Sequence, residues 1–268
     1  MNKGSIVIST EFDIPLLRQV RNSRFVSHKQ LFELLRHDAF VSTRDSLNWR
    51  VQRLLRSRHI EIIEGLAWKG SRVYRIAPNG LLELESQGDF AIALHSRTRH
   101  MPDRIQVFHA LELNAIRLAL ARNGLLVGWQ SEVEVSSTNM VSGVYQKDYD
   151  AVVKVWAGNE VREFALEYER TLKSSKRYAK IRSALEAERQ ISCVLYLTVG
   201  TDLLLALLYQ LTPLSKPIAF ATARSFQEEL LGTSVTTDAN HAMVTLEKFL
   251  EQAYSGTQAM GLSGHVGQ

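Results

Sequence analysis

The chain has 268 residues, 45% hydrophobic and 22% charged, a length and composition that fit one large globular domain or two modest ones and exclude global disorder. Its one cysteine, Cys193, sits in the apolar run ISCVLYLTV, which excludes an intrachain disulfide and suits a reducing setting. The net charge of +4 hides an asymmetry: residues 1–107 carry 17 Lys and Arg against 11 Asp and Glu, residues 108–268 carry 15 against 17, and a basic leading part suggests a polyanion partner.

The opening MNKGSIVISTEFD is polar and lacks a long apolar core, so a soluble, cytoplasmic protein is expected. Helical spacing from Ile14 to Arg21 turns Ile14, Leu17 and Val20 inward. Ser27 followed by Gln30 reads as a capping box, predicting a second helix from His28 to Leu35. A third is expected after Ser42, with Ser42 as cap, Asp45 in the first turn, and Leu47, Val51, Leu54 and Leu55 inward. Two strands, His59 to Glu64 and Arg72 to Ile76, follow around GLAWKGS, and Pro78 with Asn79 starts a short helix.

Three helices and a hairpin resemble a winged helix-turn-helix module from about Asp13 to Ser86. In such a module the third helix enters the major groove and the wing lies along phosphates. The outward positions Arg44, Asn48, Trp49, Gln52, Arg53 and Arg56, with Lys69 and Arg72 on the wing, are mostly side chains that donate to bases or phosphates. Solvated basic residues on a module used only for protein contact are the plainer alternative. Packing is the first expectation for Trp49, while Trp68 is open between packing and stacking. The resemblance gives residues 1–89 as a DNA-binding domain.

Residues 90–104 read as a basic linker, with Arg97, Arg99, Arg104, His95 and His100 as further phosphate contacts or as a plain hinge. An amphipathic helix, Gln106 to Arg122, stops at Asn123-Gly124 and opens a second domain, 105–254. A strand near Ser131 to Val135 carries Glu132 and Glu134, and residues 136–147 read as a polar, mobile loop. Asp150 to Trp156 and Arg162 to Tyr168 alternate around Ala157-Gly158-Asn159, predicting a hairpin. A helix from Leu172 to Arg189 leads to Ile191 to Thr198, whose lack of alternation predicts a strand buried on both faces. The remaining elements are a helix from Asp202 to Leu211, a strand from Ile218 to Ala221 and a helix near His241 to Tyr254, before a Gly-rich tail, 255–268, expected to be disordered. The apolar run from Leu203 to Leu211 is too short to span a bilayer.

Asp150 opens the first hairpin strand, and Glu167 and Glu169 close the second on one face. Three carboxylates at one sheet end repel each other and raise a pKa unless a cation sits among them, and oxygen donors suit Mg2+ or Mn2+. The rival reading is an exposed strand end whose acids pair with Arg162, Arg170 and Lys173.

The order helix, strand, strand, strand, helix, strand resembles the PD-(D/E)XK nuclease-like fold, so the expected class is α/β (α+β): a winged helix followed by a mixed-sheet nuclease-like domain. In that scheme Glu132 or Glu134, Asp150, and Glu167 with Glu169 take the acid positions. Tyr149 replaces the motif's proline and Glu169 its lysine, for which Lys173 or Lys176 can substitute. HALELNAIRLAL, WQSE, YDAVV and EFALEYERTLKSSKRYAKI together resemble the replication-relaxation family, related to MobC-type plasmid mobilisation relaxases, over residues 13–198.

That resemblance implies a plasmid or mobile-element protein that nicks or relaxes origin DNA, with Asp150, Glu167, Glu169, Lys173 and Glu132 as catalytic candidates and Asp150, Glu167 and Glu169 as metal ligands. Double-stranded DNA, a second copy of the chain, and conjugation or replication proteins are the partners that fit it, and a membrane does not. The other reading is a non-catalytic replication or transcription regulator with an inactive nuclease-like dimerisation domain.

Overall fold

A computed structural model describes residues 7–90, 103–237 and 243–262. The chain divides into one unit ending at Leu118 and a second beginning at Ala119.

In the first unit α1 (Asp13–Asn22), α2 (His28–His37) and α3 (Arg44–Arg56) precede a hairpin of β2 (Ile60–Trp68) and β3 (Ser71–Ile76), with β1 (Val26–Ser27) between α1 and α2. The antiparallel sheet runs β1-β3-β2. The anticipated capping box is present: the Gln30 N–H donates to Ser27 Oγ at 3.3 Å and the Ser27 N–H to Gln30 Oε1 at 3.2 Å. The α3 cap is Thr43 rather than Ser42, its Oγ1 accepting from the Ser46 N–H. At the hairpin tip Lys69 and Gly70 both have positive φ, 49° and 76°, as a two-residue connection requires. This lets β2 run on to Trp68, four residues beyond the expected end.

Leu16, Leu17, Val20, Leu31, Leu34, Leu47, Val51, Leu54, Ile60 and Ile76 form the core of this unit, and α4 (Pro78–Ser86) adds Leu81 and Leu84. The helix assigned from sequence to the second domain, α5 (Arg104–Arg122), has most of its length here instead. Its Val107 and Leu111 pack with Ile63 and Val73, and Trp68 joins this cluster with its ring 5.7 Å from that of Phe108. Gln30 Nε2 donates to the Leu111 carbonyl at 2.7 Å, and Asn114 Nδ2 donates to that of Phe25 at 2.9 Å. Because α5 is apolar on several sides, its periodicity alone does not say which sheet will take it.

In the second unit β4 (Leu126–Ser131) leads into α6 (Glu132–Ser142), then β5 (Ala151–Ala157), β6 (Glu160–Glu169), α7 (Ser175–Ala187), β7 (Val194–Thr198), α8 (Thr201–Leu211), β8 (Ile218–Thr222), α9 (Ala223–Glu229), β9 (Ser234–Thr236), β10 (Met243–Thr245) and α10 (Leu246–Leu262). The result is a mixed α/β unit on a seven-stranded sheet, β10-β9-β8-β7-β6-β5-β4. Its first three strands in sequence are antiparallel neighbours, and β6, β7 and β8 are parallel. Gly158, at φ 59°, makes the expected turn between β5 and β6. Every residue of β7 is buried, as its unbroken apolar run requires.

Two further expectations fail. The strand expected over Ser131 to Val135 and the loop over 136–147 give way largely to α6, because Ser131 and Glu134 form a capping box: Glu134 Oε2 accepts from the Ser131 N–H at 2.8 Å and from its hydroxyl at 2.7 Å. Residues 255–262 of the expected disordered tail continue α10, since each residue added to an existing helix adds a backbone hydrogen bond. Residues 263–268 and His241 lie outside the described residues.

Gly80 fixes the close approach of α4 to the start of β2. A Cβ there would lie 2.2 Å from the His59 carbonyl oxygen and 2.7 Å from Ile76 Cδ1. Gly80→Ala is expected to lower stability by about 2 kcal/mol, read as a lower urea midpoint at unchanged slope. An unchanged midpoint would contradict that packing.

Candidate functional site

In the second unit β6 lies between antiparallel β5 and parallel β7, and its last six residues, Phe164 to Glu169, are buried. Ala151 of β5 faces Leu166, which puts Asp150 beside the end of β6. The Tyr168 N–H donates to Asp150 Oδ2 at 2.7 Å. Glu167 and Glu169 are 5% and 4% exposed, and carboxylates so deeply buried need partners. Each has one: Lys147 Nζ donates to Glu167, and Lys173 Nζ donates to Glu169. The Lys147 ammonium also lies 4.9 Å from the centre of the Tyr149 ring.

Asp150 is the strained member. Burial first, then the charge of Glu167, push its carboxyl well above the usual carboxylate range. The Tyr168 N–H opposes this, Glu132 adds to it and Lys147 relieves it. Burial lowers the Lys173 ammonium, while Glu167 and Asp150 hold it up. Asp150, Glu167, Lys173 and Glu132 therefore fall within one electrostatic neighbourhood, with Glu132 on the first turn of α6 and not on a strand.

The three-carboxylate metal set is not assembled. Among the described residues no group of three or more His, Cys, Asp or Glu side chains is arranged to hold a metal ion. Glu167 and Glu169 stand two residues apart on one strand, roughly 6.5 Å along it, and each takes its own lysine. Asp150 and Glu167 remain as a close pair of oxygen donors with an uncomfortable like charge. Such a pair suits Mg2+ or Mn2+, because ions of this class are commonly held by one or two carboxylates and complete their shell with water and phosphate oxygens.

Sequence reasoning missed Lys147, although KDYD places it three residues before Asp150. It also missed Glu188, fully buried, which accepts from the Gln146 N–H at 2.9 Å, the Tyr149 hydroxyl at 3.1 Å and the Gln190 N–H at 2.8 Å. Glu188 thus pins the segment that carries Lys147 and Asp150. Tyr149 is accounted for by that bond: burial and Glu188 push its phenol far up, leaving it a poor nucleophile. Tyr168 is buried in the core. Of the rival pairings, Lys173 pairs with Glu169, while Arg162 pairs with Glu160.

In the first unit Arg44, Asn48, Trp49, Gln52 and Arg56 are exposed along α3, as are Lys69 and Arg72 on the hairpin. Arg53 departs from the expected outward row: it pairs with Asp13, which is fully buried, and Arg50 lies 3.6 Å from the same carboxylate. Trp49 overturns the packing expectation at 61% exposure, because the buried stripe of α3 runs through Leu47, Val51 and Leu54. The Arg53 guanidinium lies 4.7 Å from the Trp49 ring centre. Of the linker cations, Arg97, Arg99, His95 and His100 lie outside the described residues, and Arg104 opens α5.

No protein-family model and no curated protein matches this chain. Among solved structures the restriction endonuclease FokI is similar at 12% identity and a TM-score of 0.26, over 84% of this chain and 45% of its own length. That is too slight a likeness to bear on fold or chemistry, and the chain spans less than half of that enzyme. No helix among the described residues is long and apolar enough to cross a membrane.

Removing the Asp150 charge should relieve the repulsion from Glu167, while the amide oxygen of an asparagine still accepts from the Tyr168 N–H. Asp150→Asn is therefore expected to raise stability at neutral pH without divalent ions by on the order of 1 kcal/mol, measured as a higher thermal midpoint. A lower midpoint would show that the charge is already compensated.

Proposed function

We propose that this chain binds duplex DNA through the first unit, acting as a winged helix, and cuts one phosphodiester bond at the Asp150–Glu167 end of the second unit with Mg2+ or Mn2+. The observation that carries the reading is the meeting of Asp150 and Glu167 on neighbouring strands, in surroundings that hold the Asp150 carboxyl far above its ordinary range. Groups so perturbed at the end of two paired strands are candidates for chemistry. The antiparallel run β4-β5-β6, continued by parallel β7 after α7, supports the nuclease-like reading. The interposed α6 is an addition to the order that reading implies.

In this proposal Asp150 and Glu167 hold the cation. When bound, the cation supplies charge to polarise the scissile phosphate and lower the pKa of attacking water. Lys173 offers a partly desolvated ammonium within reach of that charge, and Lys147 is a second cation that leaves Glu167 free to ligate when it swings to a phosphate oxygen. Glu169 orients Lys173, and Glu132 adds negative potential from the α6 N-terminus. Glu188, by holding Tyr149 and Gln146, fixes the lead-in to Asp150. Membership of the replication-relaxation family, and action at a plasmid or mobile-element origin, are part of the same proposal; their support is the positions of these acids and the order of the elements.

A regulator that binds DNA without cutting it is the second reading. It is favoured by the two lysine–glutamate pairs, which neutralise the buried acids with no added ion. Supercoiled plasmid incubated with the protein and Mg2+ or Mn2+ separates the two. Open-circular product that falls at least about a hundredfold in Asp150→Asn and Glu167→Gln supports cutting, whereas salt-sensitive binding without conversion supports the regulator. Arg44→Ala and Arg72→Ala are each expected to weaken duplex binding and to reduce the slope of log affinity against log salt by about one. Unchanged slopes would remove these arginines from the interface.

A further inference from the structure

Tyr196, in the middle of β7, takes no part in the chemistry assigned to Asp150 and Glu167. Its partners in the two parallel registers are Glu167 of β6 on one side and Phe220 of β8 on the other, and residues paired side by side in a sheet point to the same face. Its ring stacks on that of Phe220, with 5.7 Å between centres and 24° between planes, which leaves its other flank to Glu167. The side chain is fully buried, in a cluster that also holds Tyr149 and Tyr178. The hydroxyls of those two tyrosines are engaged: that of Tyr149 donates to Glu188 at 3.1 Å, and that of Tyr178 accepts from the Lys173 N–H at 3.1 Å. The Tyr196 hydroxyl is buried as deeply and has no hydrogen-bond partner among the described residues. A buried donor left unpaired opposes folding, and few side chains in native proteins are left so.

We propose that Tyr196 is a positioning residue for the cation site, its hydroxyl donating to the Glu167 carboxylate once Mg2+ or Mn2+ is bound there. The inference rests on the cation site proposed at Asp150 and Glu167 and is independent of DNA binding by the first unit. With no cation bound, Lys147 donates to Glu167 Oε1 and answers the need of that buried carboxylate for a positive partner. A cation shared by Asp150 and Glu167 repels the ammonium, and Lys147 turns to a phosphate oxygen. Glu167 then has one oxygen on the cation and the other still buried. A carboxylate that ligates a metal is itself held by a hydrogen bond from outside the metal's own shell. The phenol of Tyr196 is a donor at neutral pH, it adjoins Glu167 on the next strand, and Phe220 already fixes its ring. While Lys147 serves Glu167 the hydroxyl is left over, and once Lys147 turns away it is needed.

The test uses the full chain and Mn2+ alone, without DNA. Calorimetric titration of the parent is expected to show a Mn2+ site that Asp150→Asn removes. Tyr196→Phe keeps the ring on Phe220 and is expected to weaken that site about tenfold. In EDTA its thermal midpoint is expected to equal or exceed that of the parent, since the substitution removes a donor that has no partner. The rise in midpoint on adding a fixed concentration of Mn2+ is then expected to be smaller than in the parent. A purely structural hydroxyl would give the opposite pattern, a loss of stability in EDTA with Mn2+ affinity untouched. Equal Mn2+ affinity in parent and variant, or a midpoint below the parent's in EDTA, overturns the role of Tyr196 and leaves the cation site standing. A parent that binds no Mn2+, or one whose Mn2+ binding survives Asp150→Asn, overturns the cation site and the inference with it.

Discussion

The second unit depends on how β6 keeps two glutamates out of water. The second half of β6 is covered on both faces, so Glu167 and Glu169 are desolvated along with their apolar neighbours. An isolated buried carboxylate would cost several kcal/mol, and a paired one costs far less. Lys147 and Lys173 meet that demand from opposite directions along the chain, one from the segment before β5 and one from the turn before α7. Asp150 accepts from the Tyr168 N–H, and its burial and the charge of Glu167 raise its pKa, which Lys147 partly offsets. Glu188 holds Tyr149 and Gln146, and the paired strands fix the rest of the lead-in to Asp150.

The first unit solves a related problem differently. Asp13 is buried at the start of α1 and draws Arg53 and Arg50 to it. Arg21, almost wholly buried, pairs with Asp89. Part of the basic excess of the N-terminal half is thus spent on internal pairing. The cations left outward are those of α3 and the hairpin, where Arg44, Arg56, Lys69 and Arg72 stand beside an exposed Trp49. Net charge in the sequence overstates what a polyanion would meet, because a guanidinium facing a buried carboxylate contributes little to the external field.

Much of the fold was legible from local signals. The Ser27–Gln30 cap, the inward residues of α1 and α3, the Gly158 turn and the unbroken run of β7 each follow from rules that act within a few residues. The same rule applied at Ser131 and Glu134 would have found α6; the alternation of Glu132, Val133, Glu134 and Val135 hid it, because a period of two suits a strand as well as it describes a helix's first turn. Trp49 was misjudged because its size suggested burial, whereas helical phase put it off the apolar stripe.

By itself the sequence determined most of the elements, the Ser27–Gln30 cap and the proximity of Asp150 to the end of the next strand, since each depends on backbone periodicity and turn chemistry. Only the tertiary structure decided which charge met which. It gave Arg53 to Asp13, Lys147 to Glu167, Tyr149 to Glu188, and most of α5 to the first unit, because these choices turn on which surfaces become neighbours once buried. Desolvation acts on that arrangement, and it is the arrangement that gives Glu167 and Glu169 a lysine each in place of the triad the spacing alone had suggested.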